Sequence, residues 1–187
     1  MTAIHIKFPA LTLKAGPRAL ARIRQQGLHP REVGTLPGAA GGPKALGIQG
    51  LDLALFGEWL PSAPRERSLI GASVGSWRFA SACLPDAAEG IRRLGQLYNA
   101  QSFAKGVTMA QISQSSRRML EDLLEGRDAS ILDNPHYRLN IMVVKSHGLL
   151  ADDHRGRLGL GLSSVIADNL RAVSYTHLRA HETKANL

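Results

Sequence analysis

The stretch Leu69-Ile70-Gly71-Ala72-Ser73-Val74-Gly75-Ser76-Trp77-Arg78 holds a Gly-x-Ser-x-Gly pattern behind two apolar residues and ahead of a helix-compatible run, Trp77 to Leu84. A nucleophile elbow needs this context: a strand ends, the chain turns too sharply for side chains beside the serine, and a helix begins. The pattern predicts that Ser73 is held out of the sheet at a helix N-terminus. There, unpaired N–H groups and the positive end of the helix dipole can stabilise an oxyanion. Gly71 and Gly75 are the elbow glycines. The same residues would also serve an ordinary strand-to-helix turn, so the rest of the chain must discriminate.

Working back, Pro37-Gly38-Ala39-Ala40-Gly41-Gly42-Pro43-Lys44 is a second glycine-rich loop, between a brief strand candidate, Arg31 to Leu36, and an apolar helical segment, Ala45 to Trp59. Pro43 suits the first turn of that helix, where its missing N–H is not needed. Such a loop can offer backbone N–H groups to a phosphate or an oxyanion, or it can be a close-packing turn. It is neither a Walker loop, lacking Gly-Lys-Ser/Thr, nor Gly-x-Gly-x-x-Gly.

The other elements follow from punctuation and periodicity. Arg18 to Gln26 reads as a helix opened by Pro17 and closed by Gly27. Arg67 to Ile70 is a short buried strand feeding the elbow. Helices are predicted over Asp86 to Phe103, with Asp86 as cap, and over Thr108 to Glu125, with Met109, Ile112, Met119, Leu120, Leu123 and Leu124 inward. Arg138 to Lys145 is the strongest strand, continuously apolar from Ile141 to Val144, and Leu158 to Leu170 is the last helix. Strands alternating with helices imply an α/β fold with parallel pairing.

The 187 residues, 44% hydrophobic and 20% charged, suit one sizeable core. The net charge of +8 favours polyanionic partners, but the charge is dispersed; Arg18, Arg22 and Arg24 form the densest group. At 5% aromatic content, base-stacking platforms are not expected, so nucleic acid is set aside and an anionic membrane surface is retained as a peripheral partner. Cys83, the single cysteine, excludes an intrachain disulfide, and with no secretory leader or membrane span in the sequence a bacterial-type cytoplasm is expected. No cofactor and no metal are expected. His147, Asp152, Asp153 and His154 cluster without a third ligand at helical spacing, as a polar loop does.

With both glycine loops in place, the chain resembles the patatin-like phospholipases, in particular a bacterial subgroup with Gly-Ala-x-Gly-Gly-Pro-Lys followed by Gly-x-Ser-x-Gly-x-Trp-Arg. The resemblance spans Gly16 to Ala172. It implies a three-layer α/β/α fold with a mainly parallel central sheet, a lipid or fatty-acyl ester substrate, and a Ser-Asp dyad. Ser73 matches the nucleophile; Gly41, Gly42 and Lys44 match the oxyanion loop, and the Val74 N–H follows the nucleophile as a further donor. Three departures stand out. Ala39-Ala40 and Ala45 replace residues that are often glycine in the family, and the downstream Asp-Gly-Gly/Ala motif has no counterpart, because the chain contains no Asp-Gly dipeptide.

Residues 173–187 resemble a translated sequencing-adapter tail, so the expected organisation is a domain over 1–172, incomplete at its C-terminus, and a non-native tail; a short native helix is the alternative. On this reading the catalytic aspartate lies outside the chain and the polypeptide is nearly inactive. Two further readings remain. One is an α/β-hydrolase triad in which Asp133 or Asp152 and His147 or His154 serve Ser73; the other is a non-catalytic basic module that binds anionic lipid. The sequence leaves open phospholipase, lysophospholipase or esterase chemistry, and the oligomeric state.

Overall fold

The computed structural model describes residues 12–151 and 155–184. Its first unit comprises residues up to Gln101 together with Met119–Met142. In it, strands β1 (Thr35–Gly38), β2 (Arg67–Ala72) and β3 (Tyr137–Met142) form a sheet in the order β1-β2-β3. Both pairs are parallel, with Leu36 opposite Leu69 and Leu69 opposite Leu139. The unit is therefore α/β with a parallel sheet, as the alternation of elements predicts.

β2 is the central strand, and its alternation is visible in burial: Arg67, Leu69 and Gly71 are buried, whereas Ser68, Ile70 and Ala72 are half-buried. The core joins Leu69 to Phe56, Leu60, Phe79, Ala82, Cys83, Ile91 and Tyr137. Phe56 meets the Phe79 and Tyr137 rings edge-on at 5.9 and 5.7 Å, the arrangement the aromatic quadrupole favours.

Helix boundaries follow local chemistry. α1 (Pro17–Gln26) starts on Pro17 and stops at Gly27, whose φ of 77° is open to glycine. The region expected as one helix from Ala45 to Trp59 is three pieces: a 3₁₀ turn over Gly42–Ile48, α2 (Gln49–Ala54) and a π-helical turn over Leu55–Trp59. α3 (Val74–Ala82) begins directly after Ser73, earlier than the expected Trp77. α4 (Ala87–Asn99) is capped by Asp86, whose Oδ1 accepts from the Glu89 N–H at 2.9 Å. α5 (Met109–Leu124) opens on a reciprocal cap: the Thr108 N–H donates to Gln111 Oε1 at 2.9 Å and the Gln111 N–H to Thr108 Oγ1 at 3.3 Å. α6 is Asp128–Leu132. Met119 and Leu123 of α5 are buried, but Met109 and Leu120, expected inward, are exposed.

The strand expectations shift at both edges. β1 lies at Thr35–Gly38, later than Arg31–Leu36, because Pro30–Glu32 forms a 3₁₀ turn. β1 is an edge strand, where Pro37 and its missing N–H are tolerated. β3 stops at Met142, short of the strand to Lys145 expected from the apolar run, and Val143 and Val144 are 83% and 94% exposed. The reason lies in the neighbour: Met142 pairs with Ala72, the last residue of β2, and the next residue of that chain turns away into the elbow.

The second unit comprises Ser102–Arg118 and the residues from Val143 onward. Its α7 (Arg155–Lys184) is longer than the expected 158–170 and continues into the region read as tail. Beside it, Leu149 and Leu150 pack where a side chain at Gly161 would stand. Among the described residues, no helix is long and apolar enough to cross a membrane.

Candidate active site

β2 ends at Ala72, α3 begins at Val74, and Ser73 alone makes the turn, with φ 51° and ψ −125°. A positive φ in a non-glycine residue costs on the order of 1–3 kcal/mol and persists only where its surroundings enforce it. The enforcement comes from both sides. An added Cβ at Gly71 would lie 2.6 Å from the Ser76 backbone, and one at Gly75 would lie 2.2 Å from the Gly38 carbonyl oxygen. The first turn of α3 therefore rests directly on the end of β2 and on the beginning of the glycine-rich loop. The Ser76 N–H donates to the Ser73 carbonyl at 2.9 Å, closing the turn.

The two glycine loops are thus one structural unit. Gly41 takes φ 171° and ψ 0°, Gly42 takes φ 54°, and the Lys44 N–H closes back on the Gly41 carbonyl at 3.4 Å. The following 3₁₀ turn packs against α3. Gly41 and Lys44 are exposed, Gly42 is half-buried and Val74 is buried. Val74 is the first residue of α3, where backbone N–H groups have no partner within the helix.

A second link was not anticipated from sequence. Arg78 on α3 reaches Asp52 on α2, Nε to Oδ2 at 2.6 Å and Nη2 to Oδ1 at 2.5 Å, with both side chains largely buried. This bidentate pair fixes the helix after the glycine loop to the helix after the elbow. Asp52 is the lone acid in Leu51-Asp52-Leu53, and that interruption of an apolar run was the available signal. Because both carboxylate oxygens are engaged, Asp52 is a structural anion and not a base for Ser73.

Ser73 is exposed at the mouth of a cleft of about 330 Å³, lined also by Ser76, Trp77, Ala80, Leu120, Ile141 and Met142. This lining is almost wholly apolar. Ser76 Oγ is buried with no hydrogen-bond partner, an uncommon state for a hydroxyl.

Among the described residues, no carboxylate or imidazole is hydrogen-bonded to Ser73. Asp133 caps α6 ahead of β3, and β3 starts opposite Arg67 at the start of β2, so Asp133 lies at the end of the parallel sheet away from Ser73. The triad reading loses that partner. His147 belongs to the second unit; Asp152, Asp153 and His154 lie outside the described residues. No group of three or more His, Cys, Asp or Glu side chains among the described residues is placed to hold a metal ion.

The shifted titrations also sit away from Ser73. Arg67, buried at the start of β2, donates to the carbonyls of Val33, Pro30 and Ala63 at 3.0, 3.0 and 2.8 Å. Burial lowers its pKa, opposed by Tyr137 and assisted by Arg65. Burial raises Tyr137, against the pull of Arg67 and with a further push from Cys83, and burial pushes the Cys83 thiol up to about 12. These groups stabilise the fold and take no part in the elbow.

No protein-family model matches the chain, and comparison with curated proteins and with solved structures finds no match.

Proposed function

We propose that this protein is a serine acyl hydrolase of patatin-like type, acting on a lipid or fatty-acyl ester, with the parallel sheet as the centre of a three-layer α/β/α arrangement. The observation that carries this reading is Ser73: a non-glycine residue at φ 51° between strand and helix, exposed beside an apolar cleft. Such strain at an exposed hydroxyl marks a functional turn.

In this reading the acyl chain lies along Trp77, Ala80, Leu120, Ile141 and Met142, with its ester carbonyl at Ser73. Ser73 Oγ attacks that carbonyl, giving up its proton to a base and placing negative charge on the carbonyl oxygen. The Val74 N–H and the Gly41–Gly42 backbone receive that charge, aided by the α3 dipole. Collapse releases the alcohol and leaves an acyl-Ser73 ester, and water then frees the carboxylic acid. The Asp-Gly-Gly/Ala motif that would carry the dyad aspartate has no counterpart in the sequence, and in this reading turnover by this polypeptide is slow.

Exposure to a fluorophosphonate probe tests the site. A single adduct at Ser73, absent in Ser73→Ala, is the expected outcome. Labelling spread over other serines, or none at Ser73 after prolonged incubation, would overturn the reading.

A further inference from the structure

We infer that α1 and the turn after it form a docking surface for an anionic lipid bilayer. Residues 12–31 contain Lys14, Arg18, Arg22, Arg24 and Arg31 but no Asp or Glu, and the first acid anywhere in the chain is Glu32. The positive charge is thus concentrated at this end of the molecule more than composition alone conveys. No residue of α1 is buried, and its arginines are exposed.

The helix is two-faced. At 3.6 residues per turn, Ala19, Leu20 and Ile23 share one stripe, flanked by Arg24 on one side and Arg22 on the other, with Arg18 on the polar face. Leu13 and Leu28, just outside the helix, are exposed, and Leu28 lines the groove beside Ala19 and Ile23. Between helix and turn runs a groove of about 520 Å³, lined by Ala19, Arg22, Ile23, Leu28, Arg31 and Glu32. Its apolar part suits the upper segment of an acyl chain, and the arginines suit a phosphate. Glu32 holds Arg22 at 2.6 Å, which orients that guanidinium at the rim.

The charge alone would suit nucleic acid equally well. The apolar stripe decides for lipid, together with the absence of any Phe, Tyr or Trp between Thr12 and Glu32 to serve as a base-stacking platform. The surface is also separate from the catalytic cleft. α1 is tied to Glu32, ahead of β1, whereas Ser73 follows β2, so the two lie at opposite ends of the parallel strands. Membrane attachment there leaves the cleft open.

Co-sedimentation of the full chain with vesicles tests this. Phosphatidylcholine vesicles containing phosphatidylglycerol should bind at least about tenfold more protein than phosphatidylcholine alone, with the preference collapsing as salt screens the charges. The Arg18→Glu/Arg24→Glu variant should lose that preference and the Arg18→Lys/Arg24→Lys variant keep it. Ser73→Ala should bind as the wild type, which separates this surface from the proposed chemistry. Equal binding to neutral vesicles, salt-insensitive binding, or full retention by the Glu variant would overturn the inference. So would competition in which duplex DNA displaces the vesicles. The wild-type salt titration reads the same interaction even if the double variant fails to fold.

Discussion

Arg78 grips Asp52 with both arms of its guanidinium, Nε and Nη2 each on one carboxylate oxygen, and thereby clamps α3 to α2. Removing one member of a buried pair leaves the other charge uncompensated, at a cost of about 3–5 kcal/mol, whereas replacing both with apolar residues can be close to neutral. Asp52→Ala should therefore lower stability by about that amount in urea unfolding, and Asp52→Leu/Arg78→Met should recover most of it. Additive losses in the double variant would show that the pair is not coupled.

Gly75 and Gly50 make opposite predictions for the same substitution. A Cβ at Gly75 would strike the backbone of Gly38, which cannot give way cheaply, so Gly75→Ala should cost about 3 kcal/mol or more and blunt probe labelling of Ser73. Gly50 lies within α2 with nothing near its would-be Cβ. There, Gly50→Ala should stabilise by about 0.5–1 kcal/mol through reduced unfolded-state freedom. Thermal melts of the two variants check both signs.

At Ser73 the strain itself is testable. Ser73→Gly relieves a positive φ worth about 1–3 kcal/mol and returns about 0.4–1 kcal/mol as extra unfolded-state entropy. The expected net is a gain of roughly 1 kcal/mol. Ser73→Ala keeps the Cβ and should show no such gain, so a higher melting temperature for Ser73→Gly than for Ser73→Ala identifies an elbow under strain.

Cys83 sets an alkaline limit. Its thiol is lifted from 9.0 to about 12 by burial, so in the folded protein it keeps its proton where the unfolded chain has lost it. Its stabilisation is complete below pH 9.0 and is lost as pH rises towards about 12, at up to about 1.4 kcal/mol per pH unit. Tyr137, also raised, acts with the same sign. Urea titrations across this range should show stability falling more steeply for the wild type than for Cys83→Ala. Thiol reagents at neutral pH should react with Cys83 only on unfolding.

Much of the scaffold was legible in the residues. Pro17 and Gly27 bracket α1, and Asp86 caps α4, because such signals act over a single turn. Gly71 to Gly75 marked the elbow for the same reason: a turn that admits no side chains at its flanks shows itself as glycines. Ala45 to Trp59 misled because apolar content is alike for α, 3₁₀ and π turns, and only packing against α3 and α4 selects among them. The run from Ile141 to Val144 misled because hydrophobicity registers a preference for burial without saying whether a neighbouring strand extends far enough to satisfy it.

Local order thus placed the turn, the serine and the alternation of strands with helices, since each rests on interactions between residues a few positions apart. Tertiary structure alone decided that Gly75 lies on Gly38, that Asp52 is committed to Arg78, and that Asp133 sits at the wrong end of the sheet to serve Ser73. The first two are contacts between residues 26 or more positions apart and the third follows from the register of β3 on β2; all depend on distance in space and leave no periodic trace along the chain.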